Sequence, residues 1–253
     1  MESGQLSPPS GCSASEWSVR VDLAAAYRLV ALFGWDDLVF THITAKVPGT
    51  EYILINPYGL MFEEITASQL LKVDLDGNQV EPSSHDINPA GLTIHSCIHR
   101  ARVDATCVLH THSLNGVAVS AQAEGLRPLS QFSLAALRSL AYHEYEGYAL
   151  TEGEQVRLVR DLGEANHLML KNHGLLTVGR SIADAFIAMH RFEAACMVQV
   201  RAQGTSGKLI EIPRAVQEVA WGQVGQVRGM AGVNRIWPGL IRRVGRVYPG
   251  FDS

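Results

Sequence analysis

Short apolar strand signals interleaved with capped helices, in no regular βα repeat, predict a single domain of the α/β or α+β class. Two features of composition agree. The chain of 253 residues is 47% hydrophobic and 18% charged, enough to bury a sizeable core. Its 23 glycines punctuate that apolar content, which excludes a coiled coil, and the content itself excludes disorder. No internal repeat is present. The expected organisation is a flexible N-terminal arm over 1–14, a domain over 15–205, and an extension over 206–253 packing on that domain or on a neighbouring subunit.

In chain order, Ser, Pro and Gly dominate residues 1–14 and predict the loose arm. Ser13-x-x-Glu16 reads as a capping box opening a helix over 15–33, and Gly34 stops it. Val21, Ala24, Ala25, Leu29 and Leu32 share one face of that helix. Strands are expected at 43–47 and 52–56, followed by the turn Pro57-Tyr58-Gly59. Another is expected at 71–75, closed by Asp76-Gly77-Asn78. Residues 91–102 read as a helix, 107–112 as a buried strand and 114–121 as a helix. Thr151-x-x-Glu154 caps a helix to about 162, and 167–171 is a strand. Ser181-x-x-Asp184 opens the longest helix, to about 202, with Ile182, Phe186, Met189 and Cys196 inward. Residues 204–253 read as a Gly- and Val-rich segment with a basic tail between Arg235 and Arg246.

Charge and cysteine usage narrow the function classes. The 21 basic and 25 acidic residues give a net charge of −4, and no basic stripe suggests a nucleic-acid or anionic-membrane partner. No apolar run is long enough to span a bilayer, and the start has neither the basic region nor the apolar core of a secretion signal. Four cysteines in separate segments make no disulfide framework, so a reduced cytoplasm is expected.

Histidine carries the chemical signal: there are ten, unevenly placed. In His110-Thr111-His112 the two imidazoles are two apart on a strand, so both reach one side and one ion. The alternative is a pair of strand-end histidines bonded to backbone, since two ligands do not make a site. His173, in Lys171-Asn172-His173-Gly174-Leu175, is a candidate third ligand or else a turn histidine. Three histidines with an open position describe a catalytic rather than a structural centre. His95 and His99, four apart on one helix face, compete with His173 as ligands; the zincin glutamate position is Ser96, and the other reading is of core or supporting histidines. No P-loop, no Gly-x-Gly-x-x-Gly opening a helix and no Gly-x-Ser-x-Gly is present. Lys171 reads as a Schiff-base amine or as an ion-paired lysine. Glu144 and Glu146 read as acid/base groups or as surface charges.

Six ordered blocks then resemble one family. They are Phe40-Thr41-His42-Ile43-Thr44-Ala45-Lys46-Val47-Pro48-Gly49, Leu54-Ile55-Asn56-Pro57-Tyr58-Gly59, Asn88-Pro89-Ala90-Gly91, His95-Ser96-Cys97-Ile98-His99, Val108-Leu109-His110-Thr111-His112 and Lys171-Asn172-His173-Gly174-Leu175-Leu176. Together, over roughly residues 17–203 and with a Trp237-Pro238 tail, they resemble the class II aldolase/adducin family. The resemblance implies a three-layer α/β/α sandwich around a mixed, mostly antiparallel sheet, often a homotetramer with sites between subunits. It implies that His110, His112 and His173 bind a divalent metal, zinc in the first place, with Fe2+ and Mn2+ as alternatives. The metal would act as a Lewis acid on a hydroxyketone during carbon–carbon cleavage.

The departures are as informative. Phosphosugar aldolases carry a catalytic glutamate in a Ser-Ser-Glu stretch, and aligned on His95 these positions are Pro89, Ala90 and Gly91. The early asparagine that helps hold phosphate corresponds to His42. Of the pocket turn, Gly59 matches, and Asn88, Gly91 and His42 fall at substrate-binding positions. Ser83-Ser84-His85 offers His85, or Asp86, as a displaced acid/base, and Glu144 or a tyrosine of another subunit is the alternative. The Pro-Ala-Gly version is similar to the adducin-like branch, whose cytoskeletal members are not thought to be enzymes. The complete triad favours a metal-using protein. The expected function is a divalent-metal lyase of aldolase type on an unphosphorylated hydroxycarbonyl or ketoacid. The alternatives are a mononuclear iron oxygenase on the same three histidines and a non-catalytic adducin-like binding or oligomerisation module.

Overall fold

The computed structural model describes residues 11–147, 152–231 and 233–253. In chain order its helices and strands are α1 (Ala14–Phe33), β1 (His42–Lys46), β2 (Ile53–Ile55), β3 (Leu71–Val73), α2 (Pro89–Ala101), β4 (Cys107–Thr111), α3 (Leu114–Ser120) and α4 (Gln131–Leu137). β5 (Leu140–His143), α5 (Glu152–Leu162), β6 (His167–Leu170), β7 (Gly174–Gly179), α6 (Ile182–Gln203), α7 (Arg214–Ala231) and α8 (Val233–Val247) follow. The strands form one seven-stranded sheet in the order β3-β2-β1-β4-β7-β6-β5, antiparallel except for β5 beside β6. The parallel pair is joined through α5, the crossover that parallel neighbours require.

Strand alternation builds three layers. Cys107, Leu109, Met169 and Leu175 face a core shared with Leu23, Tyr27 and Leu29 of α1 and Phe186, Met189 and Phe192 of α6. Val108, Leu168, Leu170, Leu176 and Val178 face the opposite way, onto Ile94 and Ile98 of α2 and Leu158 and Leu162 of α5. The expected α/β/α sandwich with a mixed, mostly antiparallel sheet is the fold observed. Among the described residues no helix is long and apolar enough to cross a membrane.

Several elements differ from expectation. β5 and β7 are strands beyond those expected: β5 has three half-buried positions and no apolar alternation, and β7 follows β6 directly after the His173 turn. The Gly- and Val-rich stretch after residue 204 and its basic tail contain α7 and α8. Trp237, Val244 and Phe251 from this stretch join the core under α1, and the Trp237 indole donates to Asp22 (2.9 Å). At the start of α1, the Ser13 hydroxyl accepts the Glu16 N–H (3.1 Å), which is half of a capping box. The other half is absent: the Glu16 carboxylate accepts from Arg20 Nε (2.9 Å) and Lys72 Nζ (3.0 Å). Both caps at the other predicted ends hold, Gly34 at φ +68° and Ser181 accepting from the Asp184 N–H (3.0 Å). Residues 1–10 of the expected arm and Thr151 of the expected capping box lie outside the described residues.

Candidate metal centre

One end of the sheet gathers the histidines. β4 is buried along its whole length, and His110 lies on the α2-facing side with Val108, two residues earlier. His112 follows just past the end of the strand. His173 comes from the turn joining β6 to β7, closed by its N–H bonding to the Leu170 carbonyl (3.1 Å). That turn needs a left-handed residue, and Asn172 supplies it at φ +55°. It also needs Gly174, because a Cβ there would collide with the Thr111 carbonyl oxygen, so only a glycine lets the turn press against the end of β4.

The three imidazoles converge through the same nitrogen. His110 Nε2 is 2.9 Å from His112 Nε2, which is 3.0 Å from His173 Nε2. The outer nitrogens fix the tautomers. His110 Nδ1 lies 2.9 Å from the Leu175 carbonyl oxygen and His112 Nδ1 lies 2.9 Å from Asp37 Oδ2. Both oxygens can only accept, so each Nδ1 carries the proton and donates it. With one proton on each ring, the Nε2 atoms of His110 and His112 are bare lone pairs, facing each other at hydrogen-bond distance with no hydrogen between them. A cation resolves that repulsion, and the donor set fits one. Neutral imidazoles suit zinc, iron or manganese, their second nitrogens are anchored as metal-ligating histidines commonly are, and three ligands leave open positions. Burial, reinforced by His112 and His173, pushes His110 well below the usual imidazole range. Burial likewise lowers His173 to about 4, so both stay neutral ligands near pH 7.

The other expected site residues are distributed unevenly. His42 is brought in: it sits opposite His110 in the β1–β4 register, its ring centroid 5.2 Å from that of His110. Gly91, on the first turn of α2, lies directly against the His42 ring. Asn88 is the N-cap of α2, its side chain accepting the Ala90 N–H (3.1 Å), so its role in the fold is capping. Gly59 sits in its turn at φ +97°. His85 lies on the loop before α2, half-buried, and its side chain makes no hydrogen bond among the described residues. Glu144 is exposed and ion-paired with Lys171, which gives Lys171 its ion-paired reading. A small cleft beside His173 is lined by Glu144, Tyr145, Glu146, Glu154, Lys171 and His143. His143 donates to Asp161 (2.8 Å). His95 and His99 are fully buried behind His42.

Two side chains at the site had no role assigned from the sequence. Asp37, on the loop after α1, is separated by 75 positions from the His112 it orients. Thr44 links His95 to His99, and only the register of β1 on β4 beneath α2 puts it there.

Residues 21–200 match the family model described as Class II Aldolase and Adducin N-terminal domain. A Pseudomonas aeruginosa protein, placed provisionally in aldolase class 2 by its name, is 56% identical over 243 residues, covering 94% of this chain and 93% of its own. Rat alpha-adducin is 44% identical over 193 residues, covering 75% of this chain, which in turn spans only 26% of alpha-adducin. An aldolase II superfamily protein from Pseudomonas syringae superposes with a TM-score of 0.89 at 48% identity, over 95% of this chain and 97% of that one. An L-fuculose 1-phosphate aldolase from Glaciozyma antarctica gives 0.81 at 27% identity, over 95% and 94%.

Proposed function

The chain belongs to the class II aldolase and adducin family, and from that premise we propose that it is a divalent-metal lyase of aldolase type. Its substrate in this reading is an unphosphorylated hydroxycarbonyl or ketoacid. The observation that carries the proposal is the convergence of three imidazole Nε2 atoms, two of them on rings whose Nδ1–H is held by the Leu175 carbonyl and Asp37. His110, His112 and His173 would hold the ion, zinc first, with Fe2+ or Mn2+ as alternatives. When bound, the ion supplies Lewis acidity to a substrate carbonyl.

The chain's own groups supply orientation. Asp37 and the Leu175 carbonyl hold two ligand rings in the required tautomer, and Gly174 lets the third reach them. A substrate without a phosphate is supported by the cleft beside His173: Glu144, Glu146 and Glu154 line it, and its lysine, Lys171, is already ion-paired with Glu144. Among the described residues lining that cleft, no lysine or arginine is left unpaired to receive a phosphate. Glu144 and His85 remain our candidates for proton transfer, Glu144 because it borders the cleft and His85 because it lies on the loop leading into α2. Gly59, Asn88, Gly91 and His42 remain the candidates for shaping the substrate pocket.

Metal analysis of the native protein beside His110→Ala tests this reading. One equivalent of zinc or manganese, lost in the variant, with cleavage of a hydroxyketone is the expected result. Iron with oxygen consumption would give the site to an oxygenase. No metal in either sample would sink both and leave a binding module related to adducin.

A further inference from the structure

Behind the three histidines runs a buried chain of polar groups that the proposed lyase reading leaves unused. His99 Nδ1 lies 2.8 Å from the Ala105 carbonyl oxygen, and His99 Nε2 lies 2.8 Å from the Thr44 hydroxyl. The same hydroxyl lies 2.7 Å from His95 Nδ1, and His95 Nε2 lies 2.9 Å from His42 Nδ1. All four side chains are almost sealed from solvent, at 2% exposure or less. Burial so complete disfavours imidazolium, so the rings are neutral and each carries a single proton.

The direction of every bond then follows from its end. The Ala105 carbonyl can only accept, so His99 donates from Nδ1 and has a bare Nε2. Thr44 must donate its one hydrogen to that nitrogen, leaving its oxygen to accept. His95 must donate from Nδ1 to Thr44 and has a bare Nε2. His42 must donate from Nδ1 to His95, and its own Nε2 is left as a lone pair. Nothing among the described residues bonds to that atom. The His42 ring occupies the space above Gly91: a Cβ at position 91 would stand 2.6 Å from His42 Cδ2 and 3.1 Å from Nε2. No side chain from position 91 can coexist with this ring, so the imidazole fills the volume that such a side chain would take beside the triad.

We propose that Ala105, His99, Thr44 and His95 lock His42 as the Nδ1–H tautomer, and that its Nε2 is the acceptor for a ligand hydroxyl bound at the three-histidine centre. His42 thereby selects ligands that carry a hydrogen-bond donor, as a hydroxyketone does. Ligands without one leave a buried acceptor unpaired, a loss of roughly tenfold or more in affinity. His42 is a substrate-binding residue in this inference; Thr44, His95 and His99 are positioning residues acting through it.

The first test needs neither ligand nor metal. Long-range nitrogen–proton correlation spectra of the metal-free protein read each ring's tautomer directly. His42, His95 and His99 are all expected as Nδ1–H forms, and His42 is expected to become a mixture in Thr44→Val. An Nε2–H or mixed His42 in the wild-type protein overturns the lock. The second test titrates the zinc-loaded protein with hydroxyacetone and with methoxyacetone, which keeps both oxygens but lacks the donor. Hydroxyacetone is expected to bind about tenfold tighter. That preference is expected to vanish in His42→Phe, which keeps a ring above Gly91. A preference that survives in His42→Phe, or no binding of either compound to the wild type, overturns the hydroxyl-acceptor role. This ligand test rests on the lyase reading and its metal, whereas the tautomer test does not. A protein without metal sinks that reading and leaves the lock to be decided by its spectra.

Discussion

Asp37 is half-exposed on a loop, yet it determines which nitrogen of His112 is free. Replacing it with alanine removes the acceptor that keeps the proton on Nδ1, and outer partners of this kind are worth about 10–100-fold in metal affinity. Asp37→Ala should weaken zinc binding by that factor in a competition titration with a chromophoric chelator. The melting curve of the metal-free protein should barely change. The buried histidines also set an acid limit on the fold. Burial lowers His42 to about 3 and His99 to about 4, against an ordinary 6.5. Between those values the unfolded chain binds protons that the folded chain refuses, so stability rises with pH through this window and levels off above it. Each such histidine contributes a slope of up to roughly 1.4 kcal/mol per pH unit. Denaturant titrations of metal-free protein should therefore show a sharp loss of stability from pH 6.5 down toward 4, and the loss should be smaller in His99→Gln. An unchanged midpoint across that range would contradict burial of neutral imidazoles.

At the scale of elements, the site depends on two close approaches that no side chain permits, Gly91 against the His42 ring and Gly174 against the end of β4. Gly174→Ala puts a methyl group into the Thr111 carbonyl, a backbone atom that cannot swing aside. The β6–β7 turn must shift, at about 1–3 kcal/mol, and His173 moves with it. Loss of metal well beyond what the stability change explains is the expected outcome of metal analysis on folded Gly174→Ala. The cap of α6 offers a contrasting control. Ser181→Ala removes the acceptor of the Asp184 N–H and should cost about 1 kcal/mol, read as a denaturation shift with metal content unchanged. Helix starts of this kind were legible because a cap is a local pattern: Ser13 and Ser181 both accept the N–H three residues on. Glu16 shows the limit of that legibility. Its spacing fits a capping box, but a carboxylate beside Arg20 and Lys72 finds stronger partners than a backbone amide.

Across the whole molecule, the last stretch of chain is part of the core. Trp237 of α8 is buried against Phe186 of α6 (ring centroids 5.9 Å apart) and bonded to Asp22 of α1. Trp237→Ala should cost about 3–5 kcal/mol, whereas a loosely attached extension would lose almost nothing on the same substitution in a thermal melt. We also propose a homo-oligomer, a tetramer on the family resemblance. Light scattering of the metal-loaded protein tests the assembly, and a monomer at micromolar concentration would reject it.

The alternating core positions, the helix caps and the three candidate histidines were legible along the chain, because periodicity, capping and spacing are local properties. His110 and His112 reach one side of the chain through strand period alone. What brought His173 to them, and Asp37 and the Leu175 carbonyl behind them, was the pairing of β4 with β7 and the loop after α1. The relay behind His42 belongs to the same class. Its members lie 42 to 105 in the chain, and only the register of β1 on β4 beneath α2 aligns their donors with their acceptors. Hydrogen-bond direction is a property of neighbours in space, so which nitrogen of each histidine is free was a question only the tertiary structure could decide.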